Sequence, residues 1–225
     1  MIANLYIVST PIGNLGDITL RAIETLKSVD FIACEDTRVT SILLNHFSIK
    51  KELFSLNAAT EKFKAQKIVE RLKDGESCAL VTDAGTPGIS DPGTRLINLA
   101  IKENIDVLPI PGATALIAAL SLSGFPSDSF VFEGFLPNKK GRQKNLKQLV
   151  DEERTIVLYE SIYRIQKLID ELAAIMPERQ IVICREITKK FEEVIRGTAQ
   201  SIQSQLDEHT LKGEFVVVIA PKNWK

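Results

Sequence analysis

Cys78-Ala-Leu-Val-Thr-Asp-Ala-Gly-Thr-Pro-Gly-Ile-Ser-Asp-Pro-Gly93 passes from an apolar run into eleven residues that hold three glycines and two prolines. An unbroken apolar run reads as a strand buried on both faces, which is the habit of a parallel sheet covered by helices. The Gly/Pro-rich continuation is longer than a turn requires. Asp91-Pro92 has the composition of a helix start, with Asp91 as the N-cap and Pro92 at the first helical position. That leaves Gly85, Pro87 and Gly88 with two readings. Either the backbone is shaped to approach a ligand, or the connection is irregular and needs positive φ.

The same pattern recurs around this segment. Leu5–Val8 reads as a strand that ends in Thr10-Pro-Ile-Gly-Asn-Leu-Gly-Asp17, and a helix with apolar Leu20, Ile23 and Leu26 follows. Phe31–Cys34 is a second strand, followed by Glu35-Asp-Thr-Arg38 and a helix to about Asn45. A weak strand at Leu53-Phe54 precedes a helix over Glu61–Lys73, which Gly75 ends. After the quoted loop come a helix over 92–102 and a strand over 106–108. Pro109-Ile-Pro-Gly-Ala-Thr114 and an apolar helix over 115–122 follow. Strand, loop and helix alternate, so the rich loops all lie at the carboxyl ends of one parallel sheet, where open α/β folds bind ligands.

The second half is organised differently. Strands are expected at 129–133, 155–159, 181–184, 191–196 and 214–220, and helices at 139–150, 162–175 and 199–206. Several of these strands follow one another with no helix between, which predicts a mixed sheet. The stretch 112–128, with Gly112, Gly124 and Pro126, holds the boundary, dividing an N-terminal α/β subdomain over 1–114 from a C-terminal one over 115–225. The fold class is α/β throughout.

Composition narrows the chemistry. The chain has 225 residues, is 44% hydrophobic and carries a formal charge of −1, which argues against nucleic-acid binding by bulk electrostatics but leaves room for a local basic patch. Cys34, Cys78 and Cys184 sit far apart in apolar runs and read as buried thiols of a reducing compartment. His46 and His209 are too few for a histidine metal site, so no metal is expected. No Walker loop, G-x-G-x-x-G or G-x-S-x-G motif is present. The N-terminal residues lack the pattern of a secretory leader, and a soluble cytoplasmic protein is expected.

Two polar segments carry candidate chemistry. Glu35, Asp36 and Arg38 follow the second strand. A helix cap at Asp36 or Thr37 with a surface pair between Glu35 and Arg38 would account for them structurally. Phe135-Leu-Pro-Asn-Lys-Lys-Gly-Arg-Gln-Lys144 holds Lys139, Lys140, Arg142 and Lys144 with no acid. Such a run is usually a solvated helix start. Positive charge there opposes the helix macrodipole, and so it invites an anion such as a phosphate.

Taken together in order, several segments resemble the tetrapyrrole methylase superfamily, over about residues 4–220. They are Thr10–Asp17, Glu35–Arg38, Thr82–Gly93, Pro109–Gly112, Glu133–Pro137, Tyr159-Glu-Ser161 and Arg185–Lys189. Glu-Asp-Thr-Arg and Asp-Ala-Gly-Thr-Pro are similar to the branch that methylates ribosomal RNA. The resemblance implies two α/β subdomains with S-adenosylmethionine in a cleft between them, usually in a homodimer. It implies cofactor contacts, largely through main chain, at Pro11, Ala84, Gly85, Thr86, Ile89, Thr114, Ala115, Tyr159, Glu160, Ile187 and Phe215. The activity implied is 2′-O-methylation of a cytidine ribose in small-subunit (16S) rRNA, free or in the assembled 30S subunit.

Methyl transfer to a ribose hydroxyl makes a base or charge stabiliser plausible. The position of their loop makes Glu35, Asp36 and Arg38 the catalytic candidates, with Glu160 and Glu186 behind them. The four basic residues of 139–144 are the expected RNA contacts. Three other activities compete: carbon methylation of a tetrapyrrole, nitrogen methylation of a modified histidine, and a non-catalytic module that binds the cofactor. The resemblance departs at Asn57-Ala-Ala-Thr-Glu61, where many members carry His-Glu-His-Asn-Glu and this chain shares only Glu61. Longer members also carry a basic extension beyond the Gly213–Val218 strand.

Overall fold

The computed structural model describes residues 4–205 and 212–224. It divides into two compact units, Met1–Thr114 and Ala115–Lys225, each with its own five-stranded sheet.

In the first unit β1 (Asn4–Val8), β2 (Phe31–Cys34), β3 (Glu52–Ser55), β4 (Cys78–Val81) and β5 (Asp106–Ile110) form an all-parallel sheet in the order β3-β2-β4-β1-β5. Strand side chains alternate between the faces, so each apolar strand feeds two cores. Phe31, Ala33, Cys78 and Leu80 pack on one side against Ala65, Ile68, Val69 and Leu72 of α3 (Glu61–Lys73) and Leu96 and Ala100 of α4 (Thr94–Lys102). Ile32, Cys34, Ala79 and Val81 pack on the other against Ala22 and Leu26 of α1 (Leu20–Ser28) and Leu44 of α2 (Thr37–His46). Cys34 and Cys78 are buried free thiols, and loss of hydration pushes Cys78 up to about 12, out of reach of ordinary thiolate chemistry.

The second unit has the mixed sheet. β6 (Phe130–Phe135) and β7 (Thr155–Ser161) are parallel. β8 (Gln180–Arg185), β9 (Glu193–Thr198) and β10 (Glu214–Ile219) complete it by antiparallel pairing, in the order β6-β7-β10-β8-β9. One face packs on α6 (Arg142–Leu149), α7 (Ile165–Ile175) and α8 (Ala199–Gln203), through Leu146, Leu149, Leu168, Leu172 and Ile202. α5 (Ala115–Ser123) packs on β7 and β10. Residue 206, placed in the last helix by the sequence, lies outside the described residues.

Several elements start later than their sequences suggest, among them α7 at Ile165 rather than 162 and β9 at Glu193 rather than 191. α6 begins at Arg142 rather than 139, behind Gly141 at φ 94°. α4 begins at Thr94, so Asp91 is not its cap and Pro92 is not its first residue. The cap position is Gly93 at φ 133°, where an added Cβ would lie 2.8 Å from the Leu80 side chain. Only glycine fits that backbone and that space.

Candidate functional site

In the first unit three loops meet above the carboxyl ends of β1, β4 and β5. Thr10 and Gly85 form a two-residue antiparallel bridge: the Thr10 amide donates to the Gly85 carbonyl at 2.9 Å, and the Gly85 amide donates back at 3.1 Å. The Thr10 hydroxyl donates to the Thr82 carbonyl at 3.1 Å. The hydroxyls of Ser9 and Thr86 share a hydrogen bond of 2.9 Å, and Thr86 also reaches the Ala113 carbonyl at 3.3 Å. Gly85 has φ 88°, and a Cβ there would press on Ile12 at 3.3 Å. The glycine is what lets the loop lie flat against the 9–17 segment.

The expected cofactor residues of this unit are all on these loops. Pro11 and Gly85 are buried, Thr86 and Thr114 half-buried, and Ala84 and Ile89 exposed. Main chain and small side chains therefore face outward, with no lysine or arginine among them.

Acids gather beside this rim. Glu35 accepts the Thr82 hydroxyl at 2.9 Å. Asp83 accepts the Asp36 amide at 3.1 Å. Asp36 caps α2 through the Arg38 amide at 2.8 Å and also takes the Arg38 guanidinium, with Nε at 3.0 Å. These bonds to Arg38 hold the Asp36 carboxyl down at about 2. Of the three catalytic candidates, Asp36 and Arg38 are thus engaged with each other, while Glu35 turns to Thr82. Burial, reinforced by the Glu35 charge, pushes Asp91 up to about 6, and the Thr82 hydroxyl opposes this in part. Burial likewise raises Asp83, with the Glu35 and Asp36 charges adding to it.

Sequence reading missed Asp91 and Asp83 as members of the group. The usable signal was their position in the same post-strand loop. The local Asp-Pro-Gly pattern hid it, because it looks like a helix start. The acceptor at that helix is Glu61, whose Oε1 takes the amides of Gly93, Arg95 and Leu96 at 3.1, 2.9 and 3.2 Å.

In the second unit the expected cofactor residues gather at one end of the sheet. Phe215 pairs with Glu160 on one side and Arg185 on the other, and Ile187 follows β8. Phe215 and Ile187 are buried. The Tyr159 hydroxyl accepts the Leu116 amide at 3.1 Å, one residue past Ala115, and its ring lies edge-on to Phe132 and Phe135. Ile187 stands between Glu186 and Thr188, two non-glycine residues with φ 49° and 65°. Such backbone costs free energy and is often kept where function needs it.

Glu160, with a side chain 0% exposed, is the centre of a buried ionic group. Arg142 meets it at 3.2 Å and Arg164 at 2.7 Å, and Arg142 also meets Glu171 at 2.8 Å. This separates the four expected RNA contacts. Lys139, Lys140 and Lys144 are exposed, but Arg142 is 2% exposed and faces inward. It neutralises two carboxylates beneath α6 and is not available to a phosphate outside.

The model for the tetrapyrrole (corrin/porphyrin) methylases matches residues 4–203. A Synechocystis protein named ribosomal RNA small subunit methyltransferase I is 50% identical over 218 residues, covering 96% of this chain and 78% of that one. A Thermotoga maritima protein of the same name is 44% identical, covering 97% of this chain and 98% of that one. Among solved structures, uroporphyrin-III C-methyltransferase from Thermus thermophilus, complexed with S-adenosyl homocysteine, superimposes with a TM-score of 0.66. The two are 14% identical, and 97% of each chain is covered.

Proposed function

We propose, from the premise that this chain belongs to the tetrapyrrole (corrin/porphyrin) methylase family, that it is an S-adenosylmethionine-dependent methyltransferase acting on small-subunit ribosomal RNA, at a cytidine ribose 2′-oxygen. The observation that carries the reading is the 50% identity over 218 residues to a ribosomal RNA small subunit methyltransferase I. The expected acceptor is small-subunit rRNA, free or in the assembled subunit, the expected compartment the cytoplasm and the expected state a homodimer. Among the described residues no helix is long and apolar enough to cross a membrane, which is consistent with that setting.

The first unit's rim suits a cofactor that carries positive charge. Its exposed surface includes Ala84 and Ile89, and the carboxylates of Glu35, Asp83 and Asp91 gather beside it. When bound, S-adenosylmethionine supplies an electrophilic methyl group on a sulfonium. Ala84–Ile89, Pro11, Thr114 and Ala115 would hold it by backbone contacts, and Tyr159, Glu160, Ile187 and Phe215 are the second unit's candidates.

Transfer of that methyl to a ribose 2′-oxygen would release the hydroxyl proton. That proton then needs an acceptor. Glu35 and Asp91 are the candidates, since both carboxylates lie by the Thr82 hydroxyl and Asp91 sits close to neutral pH. Asp36 and Arg38 fix the start of α2 beside them. Alignment of oxygen, methyl and sulfur supplies most of the rate in such displacements.

Labelled-methyl transfer to small subunits from a strain lacking the enzyme tests the reading, followed by nucleoside analysis. Label on a cytidine ribose is the expected result. Label on a base would overturn the ribose assignment, and no label in RNA would overturn the whole reading.

A further inference from the structure

At the carboxyl ends of the paired strands β6 and β7, the second unit presents an exposed aromatic ring that no role described above uses, together with two of the lysines already expected to contact RNA. Tyr163 is 91% exposed, in the turn between β7 and α7. Exposure of that degree is unusual for a tyrosine, whose ring is ordinarily covered along at least one face. Phe135, at the end of β6, is 52% exposed. Lys139 and Lys140 are exposed in the loop after β6, and neither forms an ion pair among the described residues.

The turn and the loop are tied together by one residue. Arg164 Nη1 donates to the Leu136 carbonyl at 2.9 Å and also to the Asn138 side-chain oxygen. Its Nε donates to the Ser161 hydroxyl at 3.2 Å, and its Nη2 is paired with buried Glu160 at 2.7 Å. Arg142, at the start of α6, holds Glu160 from the other side. Tyr163 adjoins Arg164 in the chain, and Lys139 adjoins Asn138. The turn that carries the ring and the loop that carries the cations are therefore bonded to one another through Arg164.

We propose that Tyr163 is a base-stacking residue of a single-stranded RNA surface whose phosphate contacts are Lys139 and Lys140, and that Arg164 and Glu160 are the positioning residues that fix the two parts together. The inference rests on the reading that the acceptor is ribosomal RNA. It goes further by naming the part of the RNA that is recognised. An exposed ring gains most from a base that is already unstacked, and adjacent unpaired cations fit the backbone that carries such a base. A duplex would offer phosphates to the lysines but no base face to the ring.

Binding of a short fluorescein-labelled single-stranded oligocytidylate, measured by anisotropy across a salt series, tests this. Tyr163→Ala should weaken binding roughly 5- to 150-fold, whereas Tyr163→Phe keeps the ring and should stay within about twofold. Lys139→Ala/Lys140→Ala should lower the salt slope by about 0.7 for each phosphate that is no longer neutralised. With the ring so exposed, Tyr163→Ala should melt like the parent protein. Arg164→Met should weaken binding while Tyr163 and both lysines are intact, as expected of a positioning residue.

Unchanged affinity in Tyr163→Ala would overturn the proposal. So would a change in sedimentation showing that the ring covers a second copy of the chain. The wild-type transfer assay separates the two readings. If the wild type methylates small subunits but Tyr163→Ala binds normally, only this inference falls. If the wild type neither binds nor methylates RNA, the functional reading falls first.

Discussion

The carboxylate of Glu61 and the amide of Gly93 are 3.1 Å apart, and through that bond the first residue of α3 closes the open end of α4. The same oxygen takes the amides of Arg95 and Leu96. A helix N-terminus carries unsatisfied donors and partial positive charge, so a carboxylate placed there is well used. The loop that ends at Gly93 is the one proposed to line the cofactor, so Glu61 anchors its far end.

Glu61→Ala should therefore lower stability by about 0.5–2 kcal/mol, the usual range for removal of a cap. It should also raise KM for S-adenosylmethionine more than it lowers kcat, because the loop wall loosens while the reacting groups stay. Glu61→Gln keeps an acceptor oxygen and should recover most of both. Urea denaturation and steady-state kinetics on the three proteins check this. An unchanged KM in Glu61→Ala would mean the loop holds its shape without the anchor.

Asp91 gives a pH dependence of definite sign. Its carboxyl titrates at about 6 in the folded protein against an ordinary 3.8, so between those values the native state binds more protons than the unfolded chain. Stability contributed by the protonated acid is present at low pH and is lost as pH rises toward 6. Asp91→Asn removes the charge and should raise the melting temperature at neutral pH, with the difference vanishing below about pH 4. The same variant should slow transfer if Asp91 takes the proton. A melting curve at neutral pH identical to the parent's would mean that Asp91 ionises freely there.

Arg142 distinguishes a broken charge pair from a replaced one. Arg142→Ala would leave Glu171 unpaired and Glu160 with only Arg164, and breaking a buried pair of this kind costs about 3–5 kcal/mol. Arg142→Met in a background carrying Glu171→Leu should be much milder, because no carboxylate is stranded beside Glu171's position. Chemical denaturation of the two variants reads this directly. Equal losses would place Arg142's importance in its packing volume rather than in its charge.

Much of the architecture was legible. Phe31–Cys34 and Cys78–Val81 are apolar at every position because both faces of their sheet are covered, and that alone predicts a parallel arrangement. Two features were hidden because their partners are distant. The acceptor of the Gly93 amide lies 32 residues upstream, so a local Asp-Pro-Gly pattern suggested the wrong cap. Arg142 sits among lysines in the chain, but its partner Glu171 is 29 residues away. Charge patterning reports which residues are cations and not which of them face inward. The Tyr163 patch was hidden for a related reason: an aromatic beside Ile162 and Ile165 looks like core until the fold turns it outward.

The order β6-β7-β10-β8-β9 has a consequence for synthesis. β10 (Glu214–Ile219) is made after every other strand of its sheet, yet it sits in the middle and joins β7 to β8. Until it emerges, β6–β7 and β8–β9 are two separate ribbons with apolar edges exposed. The first unit waits in the same way for β4, which joins β2 to β1, but all of its strands precede residue 111, so its sheet can close before the second unit is made. One half of the molecule can thus complete its sheet during translation while the other must hold two unfinished pieces apart, and the interval before β10 arrives is when this chain is most in need of a chaperone.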